Sequence, residues 1–315
     1  GLNWFLGDDK YELNLQSCAS NQTYSSNYDY YRGSEPFSEK EIQTIRDFVI
    51  EKKFLLSIAY HSSRSGCVSE KVIYPWAWGY KDHDGDGIVD LTKVSPDFDV
   101  IQPLAEQLAS KIEPEGDPGG EYSATPQKSR NGNAHDWIYA ETGCIQFLIE
   151  MGTSNIQPRN QEIIDDTIER NREGLFYLLD EAVGAGPDTR HIMGVVTDAL
   201  SGDKLDSVEV RVLELYSGEL KPRLTDSRGY FHRLIPGGSN TLEFIKEGYE
   251  EYIESEVSIF SGQSKNFEIE LTPLQQHNVI FNCEVCQGLT ESVTIKLTDS
   301  NGFQNTFSIF DEPVT

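Results

Sequence analysis

Basic residues are scarce in this chain of 315 residues, where 26 lysines and arginines stand against 52 aspartates and glutamates. The formal net charge is −26 at pH 7. Such a negative field repels phosphate backbones, which argues against nucleic-acid binding. No apolar run approaches the roughly 18 residues that a membrane-spanning helix needs, so no transmembrane segment is predicted. The abundance of aromatic residues, 15 Tyr, 15 Phe and 4 Trp, fits a packed protein that we expect to be secreted or at the cell surface.

An initiator methionine and an apolar signal segment are also absent, since the chain opens at Gly1 and runs directly into polar sequence. It stops at Thr315, immediately after a strand-like run, and we therefore expect a fragment or a trimmed product. Cysteine is sparse, and the odd number leaves disulfide pairing open. The five cysteines are Cys18, Cys67, Cys144, Cys283 and Cys286. The last two form a lone CxxC, for which a local disulfide or free thiols are favoured over a zinc site.

Helix-like and strand-like segments alternate over the first part of the chain. Helical spacing of apolar residues predicts helices over 39–53, 99–112 and 160–183. Apolar runs at 54–60 and 144–149 are typical of buried strands. This alternation predicts an α/β domain over residues 1–186, with a partial mixed sheet whose strands are largely parallel.

Two details of these helices can be checked directly. Ser38 and Glu41 have the spacing of a capping box at the start of the first helix. The apolar residues predicted to face inward are Ile42, Ile45, Phe48 and Val49 in the first helix, and Ile164, Ile168, Leu175, Leu178 and Leu179 in the long third one.

The pattern changes after a Gly/Pro-rich linker at 184–188. Short, alternating, β-branched runs separated by turn residues predict a small all-β sandwich over residues 190–273. Further strand-like runs at 276–315 suggest a tail or the start of another β-domain.

Two polar residues stand at the ends of the predicted buried strands. His61 follows the run 54–60, and Glu150 follows the run 144–149. Ligands of open α/β sheets bind beyond the carboxyl ends of the strands. An imidazole is a common zinc ligand, and a carboxylate near a metal can act as a general base. Each residue alone is weak evidence, because a strand-end histidine is more often a hydrogen-bonded structural residue and a strand-end glutamate is usually a solvated or salt-bridged rim residue.

Several motifs in a fixed order resemble the zinc carboxypeptidase family over about residues 1–183. Asp136 precedes Glu150 by 14 residues, a separation similar to that between the Asp-Trp pair and the catalytic glutamate of that family. The matching segments are Tyr31-Arg32-Gly33, Pro36-Phe37-Ser38-Glu39, His61-Ser62, Tyr74-Pro75-Trp76 and Asp136-Trp137-Ile138-Tyr139.

The resemblance implies the C-terminal part of a metallocarboxypeptidase catalytic domain, which hydrolyses the last peptide bond of peptides or proteins with the help of Zn²⁺. It implies that His61 is the third zinc ligand. It also implies that Glu150 is the general base that deprotonates a water molecule and passes the proton to the leaving amine.

The family's first two zinc ligands, an upstream His-x-x-Glu pair, have no counterpart here. None of the six histidines has a glutamate three residues later; they are His61, His83, His135, His191, His232 and His277. We therefore expect that the N-terminal half is missing and that the chain as given is inactive. The alternative is a non-catalytic secreted binding or adhesion protein with a degenerate peptidase domain.

Two further residues are candidates for substrate binding by the same resemblance. Tyr122 is the nearest candidate for the mobile tyrosine that covers the substrate, with a surface loop aromatic as the alternative. His135 occupies the place that lines the family's side-chain pocket, where it would favour acidic C-terminal residues. The alternative for His135 is a polar rim residue.

An acidic, glycine-containing segment at 82–90 predicts a calcium loop, because oxygen ligands recur at alternate positions. The candidate Ca²⁺ ligands are Asp82, Asp84, Asp86 and Asp90. Lys93 stands where an EF-hand has its final glutamate, so the segment is not a full EF-hand. An acidic solvated loop is the alternative.

The predicted sandwich resembles the carboxypeptidase regulatory-like, transthyretin-like domain. The matching residues are turn glycines and core aromatics, among them Gly194, Gly229, Tyr230, Phe231 and Tyr249. Such residues support a fold far better than a function, and the resemblance implies a stabilising companion or an interaction module.

Overall fold

The computed structural model describes residues 35–62, 69–78, 93–127, 133–152, 160–215, 217, 220–274, 293–298 and 304–309. The chain divides into two compact units, residues 1–274 and 275–315. Within the described residues, no helix is long and apolar enough to cross a membrane.

The first part of unit one alternates helices and strands, as the sequence predicts. Its helices are α1 (Lys40–Lys52), α2 (Phe98–Ala109), α3 (Ala134–Thr142) and α4 (Gln161–Ala182). Its strands are β1 (Leu56–Ser62), β2 (Lys71–Tyr74), β3 (Ala77–Trp78), β4 (Lys93–Val94), β5 (Ser123–Pro126) and β6 (Ile145–Met151). The short strands β2 to β5 were not predicted, because runs of two to four residues carry too little periodicity.

Four of these strands form one mixed sheet in the order β1-β6-β2-β5. β6 runs parallel to β1 and antiparallel to β2, while β2 and β5 are parallel. β6 is covered on both faces, which explains its nearly continuous apolar sequence. Its side chains Phe147 and Ile149 are fully buried. The mixed α/β architecture that the sequence predicts is therefore present.

α4 buries a different face from the one predicted. Leu178 is buried as expected, but Ile168 is 60% exposed and Leu179 is 50% exposed. The buried face consists of Asn171, Gly174, Tyr177, Leu178 and Glu181. A Cβ atom at Gly174 would lie 2.7 Å from Cγ1 of Ile112, so the absence of a side chain there lets α4 approach the end of α2 closely.

The apolar face of α1 is likewise open among the described residues, with only Val49 buried. Ile42, Ile45 and Phe48 are exposed. The predicted capping box is wrong, because Glu39 is the N-cap residue and makes no side-chain capping bond. The Ser38 hydroxyl instead donates to the Glu39 carboxylate at 3.0 Å.

Residues 190–271 form two three-stranded sheets that enclose their own apolar core. The strands are β7 (Arg190–Asp198), β8 (Glu209–Val212), β9 (Tyr230–Leu234), β10 (Gly238–Ile245), β11 (Tyr252–Ile259) and β12 (Gln263–Leu271). The sheet orders are β11-β10-β8 and β12-β7-β9. Ile192, Val212, Phe244 and Ile259 are central to the core between them.

This β-region packs on the α/β sheet through polar contacts as well as apolar ones. Arg233 of β9 forms an ion pair with Asp97, the residue that precedes α2, at 2.8 Å. Arg223 donates to the backbone carbonyl of Tyr139 at 3.1 Å. Leu234 belongs to the apolar core of the α/β part. The β-region and the α/β part therefore fold into one compact unit.

The second unit contains a described antiparallel pair, β13 (Val293–Thr298) and β14 (Gln304–Ile309). Both strands overlap strand-like runs in the sequence. The CxxC at 283–286 lies outside the described residues.

Candidate functional site

The two strand-end residues that the sequence singles out lie side by side. β1 and β6 are parallel neighbours, and their register pairs His61 directly with Glu150. Paired residues of adjacent strands point to the same face of a sheet. Nδ1 of His61 lies 2.9 Å from Oε2 of Glu150, so the ring N–H donates a hydrogen bond to the carboxylate. The sheet therefore brings together an imidazole and a carboxylate from positions 89 residues apart.

The two side chains differ in their access to solvent. The His61 side chain is 53% exposed, while that of Glu150 is 9% exposed. Among the described strands, β1 lies at the edge of this sheet and β6 is internal, which accounts for the difference. A carboxylate held in the sheet and an imidazole that opens to solvent can together hold and transfer a proton at this edge.

A second buried carboxylate, that of Glu70, anchors the chain next to this pair. It accepts hydrogen bonds from the backbone N–H groups of Gly152 and Glu115, each at 2.8 Å. Arg170 of α4 lies 3.4 Å from the same carboxylate, and both side chains are nearly buried. Gly152 directly follows β6, so Glu70 fixes the backbone two residues beyond Glu150. The sequence analysis missed Glu70, because a single glutamate before a short strand has no distinguishing pattern.

Tyr122 takes part in the same cluster. It is 5% exposed, and its hydroxyl donates to Glu70 at 2.8 Å. Burial and the neighbouring carboxylate raise the pKa of the phenol. In this position Tyr122 is an internal hydrogen-bond donor, and its role as a substrate-covering tyrosine stays a prediction.

Replacing Tyr122 by Phe tests its structural role. We expect Tyr122→Phe to lower the free energy of unfolding by about 1 kcal/mol, the typical net value of one hydrogen bond. Urea unfolding of the 315-residue chain measures this loss. Phe retains the ring, so unchanged stability would contradict the structural role. Tyr249→Phe removes a part-buried tyrosine hydrogen bond in the β-region, to Asp198, and shows the cost of the same substitution away from the Glu70 cluster.

His135 and Asp136 lie in the first turn of α3, and both are almost fully buried. Burial lowers the pKa of His135 to about 3, so its imidazole is neutral near pH 7. Burial also raises the pKa of Asp136 well above its ordinary value, opposed by a backbone hydrogen bond from Trp76. A preference for acidic substrate residues would therefore have to come from a neutral N–H donor at His135, not from a positive charge.

Cys144 is a free, buried thiol at the start of β6. Burial raises its pKa to about 11, which makes the thiolate rare near neutral pH. The sulfur lies 3.3 Å from the Ser57 hydroxyl, so this cysteine packs between β6 and β1.

The described residues do not form a complete metal site by themselves. They contain no group of three or more His, Cys, Asp or Glu side chains that could hold a metal ion. A catalytic zinc takes three protein ligands, and His61 with Glu150 falls short of that number. The predicted calcium ligands Asp82, Asp84, Asp86 and Asp90 lie outside the described residues, so that prediction stays untested.

A histidine–glutamate pair therefore lies at the ends of two parallel strands in a mixed α/β sheet. In the family comparison, residues 8–174, more than half of the chain, match the zinc carboxypeptidase family. The chain belongs to that family, and the matched residues include His61 and Glu150.

The relatives agree with this assignment. Mouse carboxypeptidase D is 26% identical over 283 residues, which cover 84% of this chain and 18% of the relative. Rat carboxypeptidase D is 26% identical over 262 residues, which cover 78% of this chain and 17% of the relative. The chain thus spans less than a fifth of the length of these relatives. Among solved structures, the group B streptococcus pilus 2b backbone protein has a TM-score of 0.21 at 10% identity, over 26% of this chain and 40% of that one.

Proposed function

We propose that this chain supplies part of the active centre of a metallocarboxypeptidase, which hydrolyses C-terminal amino acids from peptides or proteins. The observation that supports the proposal is the register pairing of His61 with Glu150 at 2.9 Å, in a chain that belongs to the zinc carboxypeptidase family. His61 is proposed as a zinc ligand and Glu150 as the general base.

The proposed role of Glu150 follows from its surroundings. Its carboxylate is nearly buried, and its backbone is held in the internal strand β6. The Glu70 cluster fixes the backbone just beyond it. A carboxylate held in a fixed position can accept a proton from water and return it to a leaving amine, because its orientation is already set before the reaction.

Zinc binding needs more ligands than the described residues offer. The proposal therefore requires additional ligands from outside the described residues. The chain covers less than a fifth of the length of its relatives, which is compatible with a longer protein that contains the additional zinc ligands.

Zinc titration tests this requirement. We expect the 315-residue chain to bind Zn²⁺ weakly, with a dissociation constant above about 1 μM, because one proposed protein ligand, His61, leaves most coordination positions to water. A gene product extended at its N-terminus should bind Zn²⁺ stoichiometrically and release C-terminal amino acids. His61→Ala in the extended protein should remove zinc, whereas His277→Ala should not.

Two outcomes would contradict the proposal. One is stoichiometric zinc in the extended protein with His61→Ala. The other is an extended protein that neither holds zinc nor cleaves peptides, which would instead support the alternative of a non-catalytic binding or adhesion protein.

The β-region at 190–273 is proposed to be a carboxypeptidase regulatory-like, transthyretin-like domain that stabilises the peptidase part. The β-region forms an ion pair with Asp97 and hydrogen bonds with the backbone of Tyr139 and Ala140. These contacts are consistent with a role in stabilising the α/β part. We also propose that the peptidase part ends at residue 186, that the β-region begins at residue 190, and that the protein is extracellular or at the cell surface.

A further inference from the structure

A cavity of about 650 Å³ opens between the β-region and the α/β part. On one side its walls come from the end of α1, the start of β1 and the loop after α3. On the other side they come from residues 221–234 of the β-region. All of these residues lie in the same compact unit.

The charge of this cavity is opposite to that of the chain. Its walls carry six lysines and arginines and four carboxylates, which gives a net charge of +2. The chain as a whole has a net charge of −26. The six basic residues are Lys52, Lys53, Lys221, Arg223, Arg228 and Arg233. The positive charge of this cavity is therefore a local feature that the net charge of the chain does not predict.

Three of these cations have carboxylate partners and three do not. Lys52, Arg228 and Arg233 form ion pairs with Glu51, Asp226 and Asp97. The other three make no ion pair with a described residue. The Lys53 ammonium donates to the Thr225 carbonyl at 3.3 Å. Lys221 is exposed, and its side chain makes no hydrogen bond with a described residue.

Arg223 is the most constrained of the three. Its guanidinium donates to the backbone carbonyls of Tyr139 and Lys221, each at 3.1 Å, and lies 5.5 Å from the centre of the Tyr139 ring. Burial lowers the pKa of this guanidinium, and the neighbouring charge of Arg233 lowers it further. Carbonyl dipoles hold Arg223 in place, but they do not neutralise its charge.

The carboxylate of Asp97 is influenced by both Arg223 and Arg233. The charges of Arg233 and Arg223 both lower its pKa. Only Arg233 reaches it directly, at 2.8 Å. Two guanidiniums beside one carboxylate leave a surplus positive charge in a partly buried place, which is costly unless an anion compensates it.

The cavity is separate from the candidate site. Leu55 and Ile145, at the beginnings of β1 and β6, line the cavity, while His61 and Glu150 stand at the other ends of these strands. At about 3.3 Å per residue, the two places are roughly 17 Å apart. An anion in the cavity would therefore not be a substrate carboxylate bound for hydrolysis by Glu150.

We propose that this cavity binds a small phosphate-bearing ligand, held by Arg223, Lys53 and Lys221. The planar fork of an arginine matches the oxygens of a phosphate, and lysine adds a mobile point charge. The net charge of +2 balances a phosphate dianion. A ligand here would touch both the β-region and the α/β part, and it would strengthen their association.

Calorimetric titration of the 315-residue chain tests the proposal at constant ionic strength. Inorganic phosphate and glycerol 3-phosphate serve as probes and distinguish the free ion from a phosphate ester, while glycerol is the neutral control. We expect saturable binding of at least one phosphate probe and a rise in the melting temperature on its addition. Lys221→Gln should weaken the binding several-fold and Arg223→Gln at least tenfold.

The controls keep these results interpretable. Lys204→Gln removes an exposed lysine of the β-region outside the cavity, and we expect it to bind the probe like the original chain. Lys221 is exposed, so its replacement tests the site even if Arg223→Gln fails to fold. No saturable binding below about 10 mM, or equal binding by the Lys221→Gln and Lys204→Gln variants, would overturn the proposal.

Discussion

Glu150→Gln should reduce peptide hydrolysis by the extended, zinc-containing protein about 1,000-fold, the scale of a lost general base. Gln preserves the shape of the side chain and can still accept a hydrogen bond from His61, but its amide cannot take a proton from water. We expect kcat to fall while KM changes little, because the substituted group acts on the reacting water and not on the bound peptide. Release of the C-terminal amino acid from a short peptide measures the loss.

The matched control is Glu141→Gln, which removes a carboxylate at the end of α3, beside the cavity and at the opposite end of the sheet. It should leave turnover within about twofold of the original protein, since surface substitutions away from the reacting groups have small effects. If Glu150→Gln retained more than about a tenth of the activity, Glu150 would not be the base.

Asp97→Ala should give the largest loss of stability, about 3–5 kcal/mol, because it leaves the nearly buried guanidinium of Arg233 without its ion-pair partner. The Asp97 carboxylate accepts from Arg233 at 2.8 Å and from the Tyr139 hydroxyl at 2.7 Å. Its removal therefore breaks contacts from both the β-region and α3. Urea unfolding of the 315-residue chain measures the loss.

Asp99→Ala is the control for this change, because Asp99 is an exposed acidic residue in the first turn of the same helix. Its replacement should cost less than about 1 kcal/mol, the usual size of a charge effect at a helix terminus. Equal losses for the two variants would mean that the helix terminus, and not the buried ion pair, determines the result.

The same carboxylate predicts how stability depends on pH. Burial alone would raise the pKa of Asp97, but the charges of Arg233 and Arg223 and the hydrogen bond from Tyr139 outweigh it and leave the pKa below the ordinary value of 3.8. A group with a lowered pKa in the folded state stabilises the fold above its unfolded pKa. Its contribution is therefore present near neutral pH and is lost as the pH falls below about 4. Asp97→Ala should flatten the fall in stability over that acidic range.

Helix α4 shows where sequence periodicity stops being informative. Its apolar residues predict one buried face, and Leu178 of that face is buried, but Ile168 and Leu179 are exposed. The helix also buries Asn171, Gly174 and Glu181, which the apolar pattern does not predict. Hydrophobic spacing identifies a helix and its period, but it does not reveal which neighbour comes closest. Close packing against Ile112 selects the glycine face, and that contact is between elements some 60 residues apart.

The sequence by itself determined the three longer helices and the two buried strands of the α/β part, the membership of a peptidase family, and the two residues at the strand ends, since all of these rest on local patterns. Only the tertiary structure decided that those two residues share a register and that Glu70 holds the backbone beside them. It alone placed an excess of cations in one cavity of an acidic protein. Contacts between distant parts of the chain depend on how the elements pack, and no local pattern in the sequence records that packing.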